Sequence, residues 1–170
     1  MWFGGSRKEG SCSTRSFSAN SSGTRRSLAS FALLGLETYK GDMDDWLARG
    51  LTHLAKLPDA ERRALSEKFR RGLRNNLAVF GKHAFRKHRT TDQSRSIINA
   101  SLFDVLMGSL SERAEESVAA RAEALRQAFY KRMDDQRFIK AITQGPNTSK
   151  EVRTRFEIAA EMMKEVFGAE

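Results

Sequence analysis

Residues 59–81, DAERRALSEKFRRGLRNNLAVFG, contain the pattern that best predicts the fold class of this chain. Apolar residues recur every three or four positions, as they do along one face of an α-helix. These residues are Leu65, Phe69, Leu73, Leu77 and Phe80. Pro58 and Asp59 favour a helix start, and Gly81 favours a helix end because glycine readily adopts the left-handed backbone found there. The segment therefore predicts a long amphipathic helix whose apolar face must pack against other helices.

The same helical period continues along most of the chain from residue 30 onward, and strand-like alternation is nearly absent. The predicted helical segments are 31–39, 43–55, 59–80, 98–110, 110–133, 135–142 and 149–167. Both prolines, Pro58 and Pro146, lie between these segments. We therefore predict an all-α fold, with a single bundle-like domain of six or seven helices at residues 31–168.

Residues typical of helix N-caps precede several of these segments. The predicted caps are Asp42, Asn99, Ser109, Asp135 and Thr148. Ser109 and Thr148 are each followed three residues later by a glutamate, which is the spacing of a capping box. Ser109 is therefore expected to start the long segment that reaches Met133.

Residues 1–30 differ in composition from the rest of the chain. They contain nine Ser, four Gly and five Lys or Arg, with Glu9 as the one acid. Such a segment has too little apolar surface to offset the entropy lost on ordering, so we predict a disordered tail. A start rich in Arg and Ser and poor in acids is also typical of a mitochondrial transit peptide, although no amphipathic helix precedes Leu28.

Composition argues against several classes of function. The 170 residues carry 30 Lys or Arg against 21 Asp or Glu, a net charge of +9, and one cysteine, Cys12, which lies outside any Cys/His metal spacing. The longest apolar run, residues 31–36, is far shorter than the ~20 residues that span a bilayer, so we predict a cytoplasmic chain with no membrane partner. Nucleotide-binding glycine motifs, HExxH and GxSxG are absent from the sequence. We therefore predict no catalytic residue, no metal and no cofactor.

Two groups of residues with metal-ligating side chains have a structural interpretation. Asp42, Asp44 and Asp45 could bind a divalent cation, but acids in a first helical turn are what the helix dipole favours. His83 and His88 are five residues apart, which would place them on different faces of a helix. We expect both imidazoles to be solvated or to cap helices.

The basic excess is concentrated between Asp59 and Arg95, where eleven Lys or Arg face four acids. A cationic helix stripe continued by a basic loop is a pattern that follows phosphates. The candidate nucleic-acid-binding residues are Arg63, Arg70, Arg71, Arg74, Lys82, Arg86, Lys87 and Arg89. The alternative is a solvated helix face whose cations favour the C-terminal end of the helix dipole.

Four short motifs occur in series along the predicted helical domain. They are YKGDMDDWL at 39–47, FGKHAFRK at 80–87, INASLFD at 98–104, and FIKAI at 138–142 followed by RTRFE at 153–157. In this order they resemble the C-terminal helical region of a large bacterial family, the ParB/sulfiredoxin-like nuclease or GmrSD-type restriction domain proteins. The resemblance extends from about Phe31 to Phe167.

The resemblance implies the function of full-length family members, and it also shows which of their motifs this chain lacks. Family members carry an N-terminal ParB-like domain with an Asp-Gly-Gln-Gln-Arg motif associated with nucleotide-dependent nuclease activity, and some carry an HNH module. Neither motif is present, since Asp92-Gln93-Ser94-Arg95 lacks the glycine. The resemblance thus implies a non-catalytic helical domain of a nuclease or phage-defence protein, as a stand-alone subunit or a truncated product. It would support a ParB-like catalytic partner and contact the DNA backbone.

Other functions remain open from the sequence. One is an independent basic protein that binds nucleic acid or regulates without a nuclease partner, and another is an enzyme whose site matches no recognised motif. If a catalytic half is missing, the isolated domain is expected to expose an apolar patch near Phe31, Leu34 and Leu36.

Two arginines in the quoted motifs, Arg86 and Arg155, are candidates for structural ion pairs. Each could bind an acid on another helix, such as Asp104 or Glu157, and so tie two helices together. For Arg86 and its neighbour Lys87, structural pairing and phosphate contact are both open.

Overall fold

The computed structural model describes residues 34–168, and this part of the chain is all-α, as predicted. The predicted tail at 1–30 and the apolar residues 31–33 lie outside the described residues. The helices are α1 Met43–Lys56, α2 Asp59–Phe80, α3 Ala100–Ser111, α4 Glu115–Ala120, α5 Ala122–Met133, α6 Gln136–Ala141 and α7 Ser149–Phe167. Two 3-10 turns, Leu36–Thr38 and Gly81–His83, complete the regular structure of these residues. The one isolated β-bridge of the described residues joins Arg86 and Ile98.

Two long helices, α2 and α7, organise the main core. Helix α2 packs along α3 and also contacts α4 and α5, whereas α7 contacts α3, α5 and α6. The core between them includes Phe80, Leu106, Leu110, Phe129 and Met162. Helix α3 lies between α2 and α7, which explains why its residues from Ser101 through Met107 are all buried.

A second apolar cluster attaches α1 to α7. Tyr39, Trp46 and Val152 form its buried centre. Leu34 and Leu36 pack against this centre and are partly buried. The prediction of an exposed apolar patch is therefore wrong for these two leucines, because they pack against the cluster. The Trp46 indole N–H of this cluster is donated to Thr38 Oγ1 at 3.0 Å. Phe31, the third predicted member, lies outside the described residues.

The structure confirms most of the predicted helix caps. Asp42 accepts the Asp45 N–H at 3.0 Å, and Asn99 accepts the Leu102 N–H at 2.9 Å. Asp135 and Thr148 likewise accept backbone N–H groups within the first turns of α6 and α7. These caps depend on contacts within four residues, which is why the sequence alone was sufficient to predict them.

Two predicted boundaries are wrong. Ser109 does not start a helix that runs to Met133, because it lies inside α3, and the chain beyond breaks twice, before Glu115 and again at Arg121. Of the predicted helix at 31–39, Leu34 is helical, but the helix does not continue and Leu36–Thr38 form a 3-10 turn. Gly35 precedes that turn with φ of +72°, a backbone conformation that an α-helix cannot contain.

Candidate nucleic-acid interface

The predicted stripe on α2 consists of Arg63, Arg70 and Arg74, and these arginines are not equally available. Glu67 lies between them, and its carboxylate contacts the Arg74 guanidinium at 2.8 Å and the Arg70 guanidinium at 3.4 Å. Arg74 also contacts Glu115 of α4 at 2.8 Å. Hydrogen bonds from Arg74, and secondarily from Arg70, lower the pKa of Glu67. Arg63 is exposed and has no acidic partner among residues 34–168, so it is the one cation of the stripe without a counter-charge there.

Arg71, a fourth predicted residue on α2, contacts the end of α3. Its Nε donates to the Ser111 carbonyl at 2.6 Å. One turn further along α2, the buried Asn75 donates through Nδ2 to the carbonyls of Leu110 at 2.8 Å and Arg113 at 3.0 Å. The last carbonyls of a helix lack partners within that helix and carry partial negative charge. Arg71 and Asn75 thus add side-chain donors at and just beyond the end of α3, a role that the sequence did not predict for either residue.

Two further arginines also donate to carbonyls at helix ends. Arg89 donates to the Met133 carbonyl at the end of α5 at 2.7 Å, and it also contacts Asp134 at 2.8 Å. Arg126 donates to the Val79 carbonyl near the end of α2 at 2.8 Å. Part of the basic excess therefore neutralises the C-termini of other helices, which differs from the solvated α2 face that the sequence left as the alternative.

The loop that follows α2 is anchored by two buried histidines. His83 and His88 are 2% and 3% exposed, and their rings stack at a centroid distance of 4.7 Å. The expectation that they are solvated is wrong, because the loop turns back onto the core and places His88 against Phe80 and Phe129. His88 Nδ1 bonds to the Arg86 carbonyl at 2.8 Å, and burial lowers its pKa below the ordinary histidine value. Among residues 34–168, no cluster of three or more His, Cys, Asp or Glu could hold a metal ion.

A short pairing of backbone segments closes this loop. The Asn99 N–H donates to the Phe85 carbonyl at 2.9 Å, and Arg86 faces Ile98 across the isolated bridge. The Arg86 guanidinium donates to the Ser96 carbonyl and not to an acid, so the expected ion pair of Arg86 is wrong. Burial, and secondarily the charge of Arg95, lower the pKa of Arg86. The pair expected for the other arginine is confirmed, since Arg155 contacts Asp104 at 3.4 Å.

We call residues 82–97 the basic loop. It contains five Lys or Arg, at positions 82, 86, 87, 89 and 95, and Asp92 is its one acid. Lys82 and Arg95 are exposed and Lys87 is half-buried, and none of the three has an acidic partner among the described residues. Arg95 was not among the predicted residues, although its position beside a basic run was a usable signal. In the basic loop the cations without an acidic partner are thus Lys82, Lys87 and Arg95, and exposed cations elsewhere in the described residues, such as Arg63, Lys150 and Lys164, also lack one.

No helix within residues 34–168 is long and apolar enough to span a bilayer. Comparison of the chain with known proteins finds no matching family model, no matching curated protein and no matching solved structure.

Proposed function

We propose that this chain is the non-catalytic helical part of a GmrSD-type nuclease or phage-defence system, and that it contacts nucleic-acid phosphates through the basic loop. The series of four motifs supports the family assignment. The observation that carries the phosphate contact is that Lys82, Lys87 and Arg95 have no acidic partner in the described part of the chain, on a loop anchored by buried side chains.

The anchoring matters for the affinity of this contact. Stacking and burial of His83 and His88 fix the start of the basic loop, and the bridge between Arg86 and Ile98 fixes its end. A loop that is already ordered loses little conformational entropy when its cations bind phosphates. Each neutralised phosphate contributes about −0.9 to the slope of log K against log salt, so Lys82, Lys87 and Arg95 together predict about −2.7.

The test compares charge reversals at two places on the molecule. Lys82→Glu with Lys87→Glu changes the basic loop. The control, Lys56→Glu at the end of α1 with Arg63→Glu near the start of α2, changes the other end of α2, where Arg63 lies roughly 25 Å from the end of α2 at 1.5 Å per residue. Binding of the full chain to a short DNA duplex is measured by fluorescence anisotropy at several salt concentrations. We expect the loop variant to bind at least tenfold more weakly with a slope reduced by about 2. The control should change both quantities much less, and equal effects of the two variants would overturn the assignment of the contact to the loop.

The non-catalytic assignment has a separate test. The wild-type chain is incubated with duplex DNA and divalent cations, with and without a nucleoside triphosphate, and the products are separated on a gel. We expect intact substrate. Cleavage by this chain that persists in a second, independently purified preparation would show that it carries a catalytic site of its own.

A further inference from the structure

One apolar side chain of the basic loop projects into solvent. Ile97 is 85% exposed, whereas its neighbour Ile98 packs against the main core. In a paired, extended segment successive side chains point to opposite sides, so the inward position of Ile98 turns Ile97 outward. Among the described residues, the only other large apolar side chain classed as exposed is Leu77 of α2, at 51%.

The segment that carries Ile97 is held in place by hydrogen bonds on both sides. The Ser96 hydroxyl donates to the Lys87 carbonyl at 3.0 Å, and the Arg86 guanidinium donates to the Ser96 carbonyl. The Asn99 N–H contacts the Phe85 carbonyl beyond it. Ile97 is therefore presented by a fixed backbone, and its removal would leave the core contacts of the domain unchanged.

Two cations lie on the backbone segments that carry and pair with this exposed side chain. Arg95 lies two residues before Ile97, and Lys87 lies on the segment paired with Ser96. Neither cation has an acidic partner among residues 34–168. An apolar tip between unneutralised cations fits a partner that offers anionic groups on both sides of an apolar surface. The minor groove of duplex DNA is such a surface, because phosphates line both of its edges and stacked bases form its floor.

We propose that Ile97 is an apolar wedge that contacts a base step in the minor groove while Lys87 and Arg95 bind the flanking phosphates. This inference rests on the proposed phosphate contact and names the nucleic acid and the groove. Burial of most of an isoleucine side chain is worth about tenfold in affinity or more. Because the wedge is uncharged, its contribution should not depend on salt.

The experiment uses the full chain and a short duplex that contains a fluorescent adenine analogue, whose emission rises when neighbouring bases unstack. Ile97→Ala removes the wedge, and Leu77→Ala is the matched control because it shortens the other exposed apolar side chain. Circular dichroism confirms that both variants are folded. We expect Ile97→Ala to bind about tenfold more weakly with an unchanged salt slope and without the rise in emission. Leu77→Ala should behave as the wild type.

The possible results separate this inference from the function on which it rests. If Ile97→Ala binds DNA as the wild type does while the Lys82/Lys87 reversals still weaken binding, the wedge is refuted and the phosphate contact stands. If neither set of variants weakens binding, both proposals fail. If wild-type protein binds vesicles that contain anionic lipid and Ile97→Ala loses that binding with DNA affinity unchanged, the partner of Ile97 is a membrane surface and the wedge is again refuted.

Discussion

Replacement of Asn75 tests whether side chains of α2 hold the end of α3. The Asn75 side chain is 1% exposed, and both hydrogens of its amide are donated, to the carbonyls of Leu110 and Arg113. Asn75→Leu keeps a similar volume and removes both donors. The Leu110 carbonyl retains a backbone donor from Glu112, so it is weakened and not left unpaired.

The magnitude follows from these contacts. Each of the two lost hydrogen bonds costs about 1 kcal/mol net. We therefore expect Asn75→Leu to lower the free energy of unfolding by about 2 kcal/mol. With a urea dependence of about 2 kcal/mol per molar, the midpoint of unfolding should fall by roughly 1 M. Circular dichroism during urea titration measures this midpoint.

Asn147→Leu is the matched control for this change. Asn147 is exposed, and its described contact is through its backbone carbonyl, which accepts from Tyr39. The control should therefore change the free energy of unfolding by no more than about 0.5 kcal/mol. If the two variants shift the midpoint equally, the donors of Asn75 are not needed at the end of α3 and the reasoning is refuted.

Three further predictions concern stability in urea titrations. Burial lowers the pKa of His88, so the unfolded chain binds a proton at a higher pH than the folded chain does. Stability is therefore full above about pH 6.5 and falls as the pH drops towards the lowered pKa. His88→Phe should flatten this decline, and an equally steep decline would contradict the assignment. Asp104→Ala leaves the 1% exposed Arg155 guanidinium without its acid and should cost about 3 to 5 kcal/mol, whereas a loss below ~1 kcal/mol would show that Arg155 is stabilised by its other contacts. Gly72→Ala should lower the free energy of unfolding by ~1 kcal/mol, although alanine favours helix, because the new Cβ would lie 3.2 Å from Ser111 Cβ on α3. A stabilised variant would show that α2 and α3 can move apart to accommodate it.

Features that depend on nearby residues were predictable. The apolar period of α2, its end at Gly81 and the caps at Asp42 and Thr148 are each decided within one or two helical turns. The same local reasoning failed at Ser109, where a valid capping box lies inside a helix. There α3 continues to Ser111, and Arg71 and Asn75 of α2 supply donors to its last carbonyls.

The candidate interface was predicted as a charge excess but not as a set of available cations. Arg71 and Arg89 bind carbonyls that lie 40 and 44 residues away in the chain, and no local pattern announces such partners. Arg74 is neutralised by Glu67 on its own helix and by Glu115 on another. Helix packing therefore determines which cations remain available to bind a ligand.

By itself, the sequence determined that residues beyond the Ser- and Arg-rich start form amphipathic helices, because periodicity and capping are properties of neighbouring residues. The tertiary structure decided which basic side chains bind acids or helix-end carbonyls and which histidines are buried. The physical reason is that a helix ends with carbonyls it cannot satisfy internally, and the donors that reach them come from whichever helix packs alongside. In the packed structure Arg71 and Arg89 therefore donate to helix-end carbonyls, whereas Lys82, Lys87 and Arg95 of the basic loop have no acidic partner among the described residues.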